Sequence, residues 1–585
     1  MKTKDNYYHF LISLLIIFFN SMAYFLCLNS MKCWIPYTSL FVQLICQINM
    51  ILNSLVFPFL LLLIIYFFRS VSLILILHFF VLIVLLTVSI YYKQFQSIPH
   101  INLIKHIYLL PPVIPQILFL LFGFNELIIS ASIVLSLAFS FRLSHDFKKN
   151  RFYAIPKKKI LIFFLIIIII AYPLKAILIN SQRPITKWHR VHLLKLHGFI
   201  PVYFKQFREA IFKEKKIIPW PGKINLNTYN TTSRNKNEKN VIILQVETFD
   251  ACLMDYQIGS EYVMPYMHSL KKQGMFFKYF FAYNRGGASS DAELGSLTSL
   301  IPLETHPGFD TVDYQKIIPL NRILAREGYY CVGIHANTGR YFNRIQSYAL
   351  MGFDKFFDQE AFQGEAAGWD SKDKVFFEQT IKIIHSLPQP FFAYIITIQS
   401  HGPFCNYSTN PEIFDFSGLN KDMQDYMLTM HEVDQAISVF ITQLEKYGFL
   451  KNTVVVIYGD FGNTVFYDDS PGALHYYGSH EDDLYRICPA GSRVPLLIIG
   501  PGISPSIKYK VGSHIDISPT ILDLLGIAEP QGWLGSSLLQ PGTGKAVLNY
   551  DELFVLVNQG NDVVVDDNYH NYSKFIDYST SMLDP

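Results

Sequence analysis

A chain of 585 residues is too long for a single hydrophobic core, so at least two structural units are expected. The net charge of +3 gives no reason to expect a nucleic-acid partner, and the aromatic content of 15% is high for a soluble protein but typical of membrane-interface belts. None of the seven cysteines has C-x-x-C spacing, which argues against a zinc ribbon or a disulfide framework.

Long apolar stretches are concentrated in residues 1–180, which we predict to be a transmembrane domain. About 20 apolar residues are needed to cross a bilayer as a helix. The first stretch is not predicted to be a cleaved signal peptide, because four further spans follow it. The clearest candidates are His9–Leu28, roughly Ile48–Phe68, Ser72–Tyr92 and Ile160–Ile179.

The stretch Ile107–Phe141 is apolar but broken by prolines, and it fits either one span or two short ones. Charge decides between them, because basic loops face the cytoplasm. Seven basic residues lie between Arg142 and Lys159, and Lys2 and Lys4 mark the amino terminus. Both regions are cytoplasmic only if Ile107–Phe141 crosses once. The sequence therefore predicts about five spans, with everything after residue 180 outside the cytoplasmic membrane.

Residues 181–239 are predicted to connect the membrane to a second domain. Arg183–Trp220 is rich in basic and aromatic residues, and it fits an amphipathic layer on the outer membrane surface as well as a solvated linker. Thr228–Asn240 is polar and rich in asparagine, which is typical of a linker. The domain boundary is therefore placed at residue 240.

Residues 240–545 alternate apolar strands with helical patterns, which predicts an α/β domain with a mostly parallel central sheet. Four strands run directly into a polar residue: Asn240–Val246 into Glu247, Tyr329–Ile334 into His335, Phe391–Ser400 into His401, and Thr453–Gly459 into Asp460. Val494–Ile499 is a further predicted strand. Helices are predicted at Met264–Gln273, Asp291–Ser299, Leu320–Glu327, Asp373–Ser386, Lys421–Tyr447 and Asp516–Leu525. The tail, residues 546–585, has weak alternation that fits a small antiparallel edge.

Polar residues at the carboxyl ends of parallel strands lie where such sheets bind ligands. Taken singly, Glu247 and Asp460 fit turn or helix-capping residues. Together with His335 and His401 they indicate a site for a metal ion and an anion. Two carboxylates suit magnesium, manganese or calcium better than a metal that prefers thiolates.

A glycine turn followed by helix-starting residues lies at Asn284–Glu293. Ser289 and Ser290 stand at the start of the helix, where backbone amides favour an anion. A hydroxyl at this position fits a simple N-cap, and it also fits a nucleophile activated by a metal ion.

Several motifs together resemble the sulfatase/alkaline-phosphatase superfamily: QVETFD at 245–250, SSDAE at 289–293, YGD at 458–460, RVPLLIIGPG at 493–502 and SHIDISPTILDLLG at 513–526. With the preceding spans, the chain is most similar to the lipoteichoic acid synthase family of membrane phosphoglycerol transferases. The resemblance implies an extracytoplasmic sulfatase-like catalytic domain and one divalent cation, Mn²⁺ or Mg²⁺.

The resemblance also implies roles for individual residues. Glu247 and Asp460 match metal ligands, and Ser289 stands in place of a nucleophilic threonine that also binds the metal. Ser290 is the alternative nucleophile. The residues that match headgroup-binding positions of the family are His335, Arg344 and His401, with Phe342 where a tryptophan is usual.

One position departs from the family pattern. The family reads Gly-Asp-His, with the histidine as a metal ligand, whereas this chain has Phe461 after Asp460. Three interpretations fit this difference: water completes a three-ligand site, another residue such as His475 or His480 substitutes, or metal binding is lost. His514, within a superfamily motif, is interpreted as structural.

The resemblance implies a transferase that moves glycerophosphate from a phosphatidylglycerol-like lipid to a hydroxyl acceptor on an envelope polymer, glycan or glycolipid. The reaction would pass through a covalent serine intermediate. One alternative is another phosphotransferase or a phosphodiesterase of the superfamily, such as a phosphoethanolamine transferase. Another is a catalytically degenerate homologue, which Phe461 supports.

Overall fold

A computed structural model of the chain describes residues 2–29, 71–95, 123–148, 239–283, 289–303, 312–402, 404–462, 491–549, 553–559 and 562–565, together with a few single positions. The chain divides into two compact units, Met1–Glu214 and Lys215–Pro585. The boundary lies within the segment predicted to connect the membrane domain to the second domain.

Three long helices make up most of the described part of the first unit: α1 (Lys2–Asn29), α2 (Val71–Phe95) and α3 (Phe124–Lys148). Each is long and apolar enough to cross a membrane, over Leu11–Leu28, Val71–Tyr92 and Phe124–Leu143. These correspond to three of the five predicted spans. The predicted spans at roughly Ile48–Phe68 and Ile160–Ile179 lie outside the described residues, apart from a few positions of the former.

Polar side chains connect the three helices inside the bundle. Asn20 of α1 donates a hydrogen bond to Ser136 of α3, and Nε2 of His78 of α2 lies 3.1 Å from Ser136 Oγ. Ser89 of α2 donates to Glu126 of α3 at 2.6 Å. All five residues are buried. In an apolar environment such bonds between helices add to van der Waals packing and fix the register of the helices.

The segment after the predicted fifth span also contributes to this unit. Leu194, Phe199 and Val202 are buried in one cluster with Tyr24. The rings of Tyr24 and Phe199 meet edge to face, with centroids 5.3 Å apart. These contacts fit an amphipathic segment, which remains a prediction because most of residues 181–238 lies outside the described part of the chain.

The second unit is built on an eight-stranded sheet. Its strands are β1 (Asn240–Val246), β2 (Met275–Phe277), β3 (Tyr330–His335), β4 (Lys355–Phe357), β5 (Phe391–Ile396), β6 (Thr453–Gly459), β7 (Leu496–Ile499) and β8 (Ser506–Lys508). Their order in the sheet is β8-β2-β7-β6-β1-β5-β3-β4. Strand β7 is antiparallel to both neighbours, β6 and β2, and all other pairings are parallel. The mostly parallel sheet predicted from the apolar runs is confirmed.

The six predicted helices are present, and each end lies within two residues of its predicted position. A seventh, α7, is amphipathic but only eight residues long, too short to stand out as a periodic pattern in the sequence. The helices of this unit are α4 (Pro265–Lys271), α5 (Ser289–Thr298), α6 (Leu320–Arg326), α7 (Arg344–Met351), α8 (Asp373–His385), α9 (Lys421–Lys446) and α10 (Ile517–Leu525).

Both faces of the central strands are covered, which explains why these strands are mostly apolar. Successive side chains of a strand point to opposite faces. Ile242 and Leu244 of β1 accordingly join the cluster that includes α8 and α9, whereas Val241 and Ile243 join the cluster that includes α5 and α10. In such a sheet, polar side chains that bind ligands lie at the ends of the strands.

The tail forms a separate antiparallel sheet of three strands, β9 (Lys545–Asn549), β10 (Leu553–Gln559) and β11 (Asp562–Val565). The alternation noted in the sequence therefore corresponds to real strands. They pair with one another and not with the eight-stranded sheet. Two smaller ladders join Gln257–Ile258 to Glu261–Tyr262 and Phe280–Phe281 to Gly512–Ser513.

Candidate active site

Three of the four strand-end residues lie where the sequence predicted them. Glu247 and Asp460 each follow the last residue of a strand, and His335 is the last residue of β3. The strands β6, β1, β5 and β3 are consecutive in the sheet. Since these four strands are parallel, their carboxyl ends meet at one edge, and this edge is the candidate site.

The predicted strand Phe391–Ser400 was too long. Strand β5 ends at Ile396, so His401 lies five residues beyond it. Polar side chains in the intervening turn bond to the neighbouring strand end: Glu247 N donates to Thr397 Oγ1 at 3.0 Å, and Ser400 Oγ donates to Glu247 O at 2.5 Å. These bonds end the regular ladder and hold the backbone of Glu247 in place.

Ser289 is the first residue of α5 and contacts Glu247 directly. Its Oγ donates a hydrogen bond to Glu247 Oε2 at 2.9 Å. Thr248 Oγ1 donates to the other carboxylate oxygen of Glu247 at 3.2 Å. Both Ser289 and Ser290 are buried, and the Ser289 hydroxyl lies against the carboxylate of Glu247. Residues 284–288, which include the predicted glycine turn, lie outside the described part of the chain.

Asp460 completes a group of three oxygen-bearing side chains. Its Oδ1 accepts hydrogen bonds from Thr248 N at 2.8 Å and from Phe461 N at 2.7 Å. Burial raises the pKa of Asp460 well above its ordinary value, and the negative charge of Glu247 raises it further, whereas a hydrogen bond from Ser289 opposes both effects. The two carboxylates and the serine hydroxyl therefore share one buried space.

A buried network below α5 fixes the backbone of Ser289. Gln245 of β1 donates from Nε2 to Ser289 O at 3.3 Å. Its Oε1 accepts hydrogen bonds from Tyr394 at 2.7 Å and from Tyr458 at 2.5 Å. Tyr394 also bonds Ser296, on the same helix as Ser289, at 2.8 Å. Three adjacent strands thus hold the start and the middle of α5.

His335, Arg344 and His401 lie close enough that the charges of the other two act on His335. His335 donates from Nδ1 to Ile396 O, 3.1 Å away, which leaves Nε2 for a ligand. Burial lowers the pKa of His335 well below its ordinary value, and the charge of Arg344 and, to a smaller extent, that of His401 lower it further. His401 is half-buried, and its ring lies edge to face with that of Trp369, with centroids 5.1 Å apart.

Arg344 has a partner that the sequence analysis did not identify. Its Nε lies 3.0 Å from both carboxylate oxygens of Glu293, and its Nη2 lies 2.6 Å from Oε1. Tyr348 donates to the same carboxylate at 2.7 Å. The helical spacing between Ser289 and Glu293 was the available signal, because residues i and i+4 share one face of a helix. The sequence gave no sign that Arg344 lies opposite that face.

The two histidines considered as substitute metal ligands, His475 and His480, lie outside the described residues. His514 is described, and both of its ring nitrogens bond the backbone: Nδ1 accepts from Tyr283 N at 3.3 Å, and Nε2 donates to Gly459 O at 3.0 Å. Burial lowers the pKa of His514 to about 3. These contacts agree with a structural role.

The side-chain oxygens of Glu247, Asp460 and Ser289 are the candidate ligands for a divalent cation. Within the described residues, no group of three His, Cys, Asp or Glu side chains is arranged to hold a metal ion. Glu247, Asp460 and Ser289 nevertheless bring together two carboxylates and a hydroxyl, which are oxygen donors of the kind that hard cations use. Their chemistry fits such an ion. The side chain of Phe461 adds no donor and packs against the hydrophobic cluster on one face of the sheet.

Comparison with known proteins identifies the class. The sequence model of the sulfatase family matches residues 239–527, which contain the whole eight-stranded sheet and every candidate site residue. These residues form a sulfatase-like domain of the sulfatase/alkaline-phosphatase superfamily, as the motifs implied.

Within that superfamily the chain is lipoteichoic acid synthase-like. It is 31% identical over 296 residues to lipoteichoic acid synthase 1 of Bacillus subtilis, a match that covers 49% of this chain and 46% of the relative. It is 28% identical over 324 residues to lipoteichoic acid synthase of Staphylococcus aureus, covering 53% and 49% of the two chains. The chain thus spans about half the length of the curated relatives it matches.

A solved structure supports the same fold. The crystal structure of the lipoteichoic acid synthase LtaP from Listeria monocytogenes superposes with a TM-score of 0.51 at 24% identity. The match covers 59% of this chain and 90% of the LtaP chain. At this identity the similarity establishes the fold and leaves the reaction to be argued from the site.

Proposed function

We propose that this chain is a membrane-anchored phosphoglycerol transferase. The observation that carries the proposal is the hydrogen bond of 2.9 Å from Ser289 Oγ to Glu247, at the start of a helix and beside Asp460. A buried hydroxyl held against carboxylates is placed for nucleophilic catalysis. The similarity to proteins named lipoteichoic acid synthases supports phosphoglycerol transfer as the general reaction.

In the first step of this mechanism, Ser289 Oγ attacks the phosphorus of a phosphatidylglycerol-like lipid. The new bond joins Oγ to phosphorus, and the bond to the diacylglycerol oxygen breaks. Glu247 Oε2 already accepts the hydrogen bond of the Ser289 hydroxyl and is in place to receive its proton. The products are diacylglycerol, which takes up a proton, and a glycerophosphoryl group carried on Ser289.

In the second step, a hydroxyl of the acceptor attacks the same phosphorus and releases Ser289, which regains a proton. We propose an acceptor hydroxyl on an envelope polymer, a glycan or a glycolipid. No nucleic acid takes part in this scheme. The fixed position of Ser289, held by Gln245 and α5, lets the same oxygen act as nucleophile in one step and as leaving group in the other.

The phosphate and glycerol headgroup would be bound by His335, Arg344 and His401. The bonds to Glu293 use Nε and Nη2 of Arg344, and Nη1 is the guanidinium nitrogen that they do not use. Neutral His335 offers Nε2, and half-buried His401 lies towards solvent. Charge-assisted hydrogen bonds from a fixed guanidinium orient a phosphate more strongly than neutral donors do.

One divalent cation, Mn²⁺ or Mg²⁺, is part of the proposal. Glu247, Ser289 and Asp460 would hold it, and a bound cation supplies Lewis-acid stabilisation of charge on phosphate oxygens and favours the deprotonated serine. Superfamily membership supports a metal requirement in general.

We propose a multi-pass protein of the cytoplasmic membrane with an extracytoplasmic catalytic domain. Three helices long and apolar enough to cross a membrane support membrane insertion. A lipid donor also requires that the site work close to a bilayer surface. The basic residues after Phe141 support the orientation, because such loops stay in the cytoplasm.

A second candidate function is favoured by one observation. Phe461 offers no metal-binding atom at the position where the resembling family has a histidine, which fits a degenerate homologue that binds a glycerophosphate polymer without turnover. Another phosphotransferase reaction, such as phosphoethanolamine transfer, would use the same serine and carboxylates with a different headgroup.

The test uses the full chain in detergent micelles with fluorescent phosphatidylglycerol or phosphatidylethanolamine, with Mn²⁺, with Mg²⁺ and with a chelator. We expect metal-dependent release of diacylglycerol from phosphatidylglycerol. Ser289→Ala should abolish the release, whereas the matched variant Ser290→Ala should retain it. Release from phosphatidylethanolamine alone would favour the other transferase, and intact folding without any release would favour the degenerate homologue.

A further inference from the structure

Every side-chain donor that the described residues bring to the candidate metal position is an oxygen atom. Glu247 and Asp460 contribute carboxylates, and the Ser289 hydroxyl bonds to Glu247 at 2.9 Å. The residue that follows Asp460 is Phe461, in the position that holds an imidazole in the family this chain resembles. The difference is chemical, because imidazole nitrogen favours zinc and other later transition metals, whereas carboxylate and water favour magnesium, calcium and manganese.

The backbone N–H of Phe461 bonds to Asp460, whereas the phenyl ring packs away from the carboxylates. Its N–H donates to Asp460 Oδ1 at 2.7 Å, and its ring is half-buried against the hydrophobic cluster on one face of the sheet. The next residue is fixed as well, since Gly462 N donates to Gly491 O at 2.7 Å. The backbone around Asp460 is therefore ordered by hydrogen bonds, and the substitution removes a donor without disturbing the carboxylate.

Two described histidines near the site do not act as the metal-binding imidazole in this proposal. His514 bonds the backbone through both ring nitrogens. His335 keeps Nε2 for the phosphate headgroup of the proposed function and lies beside Arg344, whose positive charge disfavours a cation bound to the same imidazole. Among the described residues, no third His, Cys, Asp or Glu joins the two carboxylates.

Two buried acidic side chains share this position. Glu247 and Asp460 are both buried, and the Ser289 hydroxyl bonds to Glu247 at 2.9 Å. The buried guanidinium of Arg344 is paired with Glu293. Mg²⁺ characteristically binds to one or two carboxylates, keeps several waters and takes further oxygen ligands from substrate phosphate, whereas Ca²⁺ takes six to eight oxygens. Two carboxylates and one hydroxyl match the first pattern.

We propose that Phe461 makes this an oxygen-only cation site of the Mg²⁺ type, in which water and the phosphate of the donor supply the ligands that the protein lacks. The proposal rests on the proposed function, because it takes a phosphate diester or monoester as the missing ligand. The proposal predicts that this chain prefers a different metal ion from relatives whose site contains a histidine.

A consequence is that metal and phosphate bind cooperatively. If phosphate completes the coordination shell, Mg²⁺ binds more tightly when glycerol phosphate is present, and glycerol phosphate binds more tightly by the same factor when Mg²⁺ is present. A site that already has a full set of protein ligands gains less from the phosphate. The coupling factor therefore measures how many ligands the protein itself provides.

The experiment is isothermal titration of the metal-free full chain in detergent with Mg²⁺, Mn²⁺ and Zn²⁺, with and without glycerol phosphate. We compare wild type with Phe461→His, with Phe461→Leu as the matched variant that restores no donor. The wild type should bind Mg²⁺ with positive coupling to glycerol phosphate. Phe461→His should raise Zn²⁺ affinity relative to Mg²⁺ by about tenfold or more and reduce the coupling, and Phe461→Leu should do neither.

Three results would overturn the proposal. The first is a wild type that binds none of the ions, and the second is a Phe461→His variant with the same ratio of Zn²⁺ to Mg²⁺ affinity as wild type. The third is a loss of wild-type affinity in the double variant His475→Ala/His480→Ala, which would identify a nitrogen ligand from that segment. Because binding is measured without turnover, intact Mg²⁺ binding in a chain that transfers nothing would refute the proposed function and leave this inference standing.

Discussion

Arg344 and Glu293 form a fully buried ion pair, with Nη2 2.6 Å from Oε1 and Nε 3.0 Å from both carboxylate oxygens. Glu293 lies on the same face of α5 as Ser289. The pair therefore connects the helix of the proposed nucleophile to the arginine of the proposed headgroup site. A shift of α5 or of the segment that carries Arg344 would change the distance between Ser289 and Arg344.

Replacing Glu293 by glutamine tests this connection. Removing one partner of a buried ion pair leaves an uncompensated charge and costs about 3–5 kcal/mol. We expect Glu293→Gln to lower the melting temperature and to raise KM for the lipid donor, because Arg344 loses the carboxylate that orients it. The matched control is Glu412→Gln, at an exposed glutamate, which should change neither quantity. An unchanged KM at temperatures where the variant is folded would limit the pair to a structural role.

The network below α5 gives a second prediction. Gln245→Leu removes the donor to Ser289 O and leaves the hydroxyls of Tyr394 and Tyr458 without their shared acceptor. Both hydroxyls keep their bonds to each other and to Ser296, so the cost is that of the lost hydrogen bonds, about 0.5–1.5 kcal/mol each. We expect a lower melting temperature and a lower kcat, since Ser289 is less well fixed.

A suitable control for Gln245→Leu is Gln379→Leu, which removes a half-buried glutamine that bonds Gln363 N at 3.0 Å and Gln363 O at 2.8 Å, away from the candidate site. It should leave both the melting temperature and kcat close to those of wild type. Equal effects of the two substitutions would contradict the positioning role of Gln245.

The buried His514 predicts a dependence of stability on pH. Its pKa is lowered to about 3 by burial, so the unfolded chain binds more protons than the folded chain between that pH and the ordinary histidine value of about 6.5. This contribution to stability is fully present above about pH 6.5 and is lost as pH falls, by roughly 1.4 kcal/mol per pH unit.

The measurement is the melting temperature between pH 4 and 8 for wild type and His514→Gln. We expect the variant to be less stable at pH 8 and its melting temperature to fall less steeply on acidification, because it has no imidazole to protonate. Parallel curves for the two proteins would show that His514 does not titrate on unfolding in this range.

The sequence was sufficient to predict the parts of the fold that depend on local pattern. The apolar strands, six helices and the polar residues at strand ends follow from periodicity and from the rule that parallel strands share an edge. The antiparallel direction of β7 did not follow, because an apolar run has no orientation. The end of β5 was also missed, since Thr397 to Ser400 follow the apolar run directly, and the bonds from Thr397 and Ser400 to Glu247 cannot be read from the sequence.

The sequence predicted the individual residues of the site, but it did not predict the contacts between those residues and their distant partners. Glu247, Ser289 and Asp460 stand in recognisable motifs, and the structure brings them together. The partnership of Arg344 with Glu293 joins residues 51 positions apart, and that of Gln245 with Tyr394 joins residues 149 positions apart. Such contacts depend on how helices and strands pack, which no local spacing specifies.

The covalent intermediate on Ser289 is the central claim, and mass spectrometry tests it most directly. The full chain is incubated with phosphatidylglycerol and Mg²⁺ without added acceptor, quenched in acid and digested. We predict one glycerophosphoryl group on the peptide that contains Ser289, retained in Ser290→Ala and absent from Ser289→Ala. Release of diacylglycerol with no adduct on this peptide, or with the adduct on Ser290, would contradict the account.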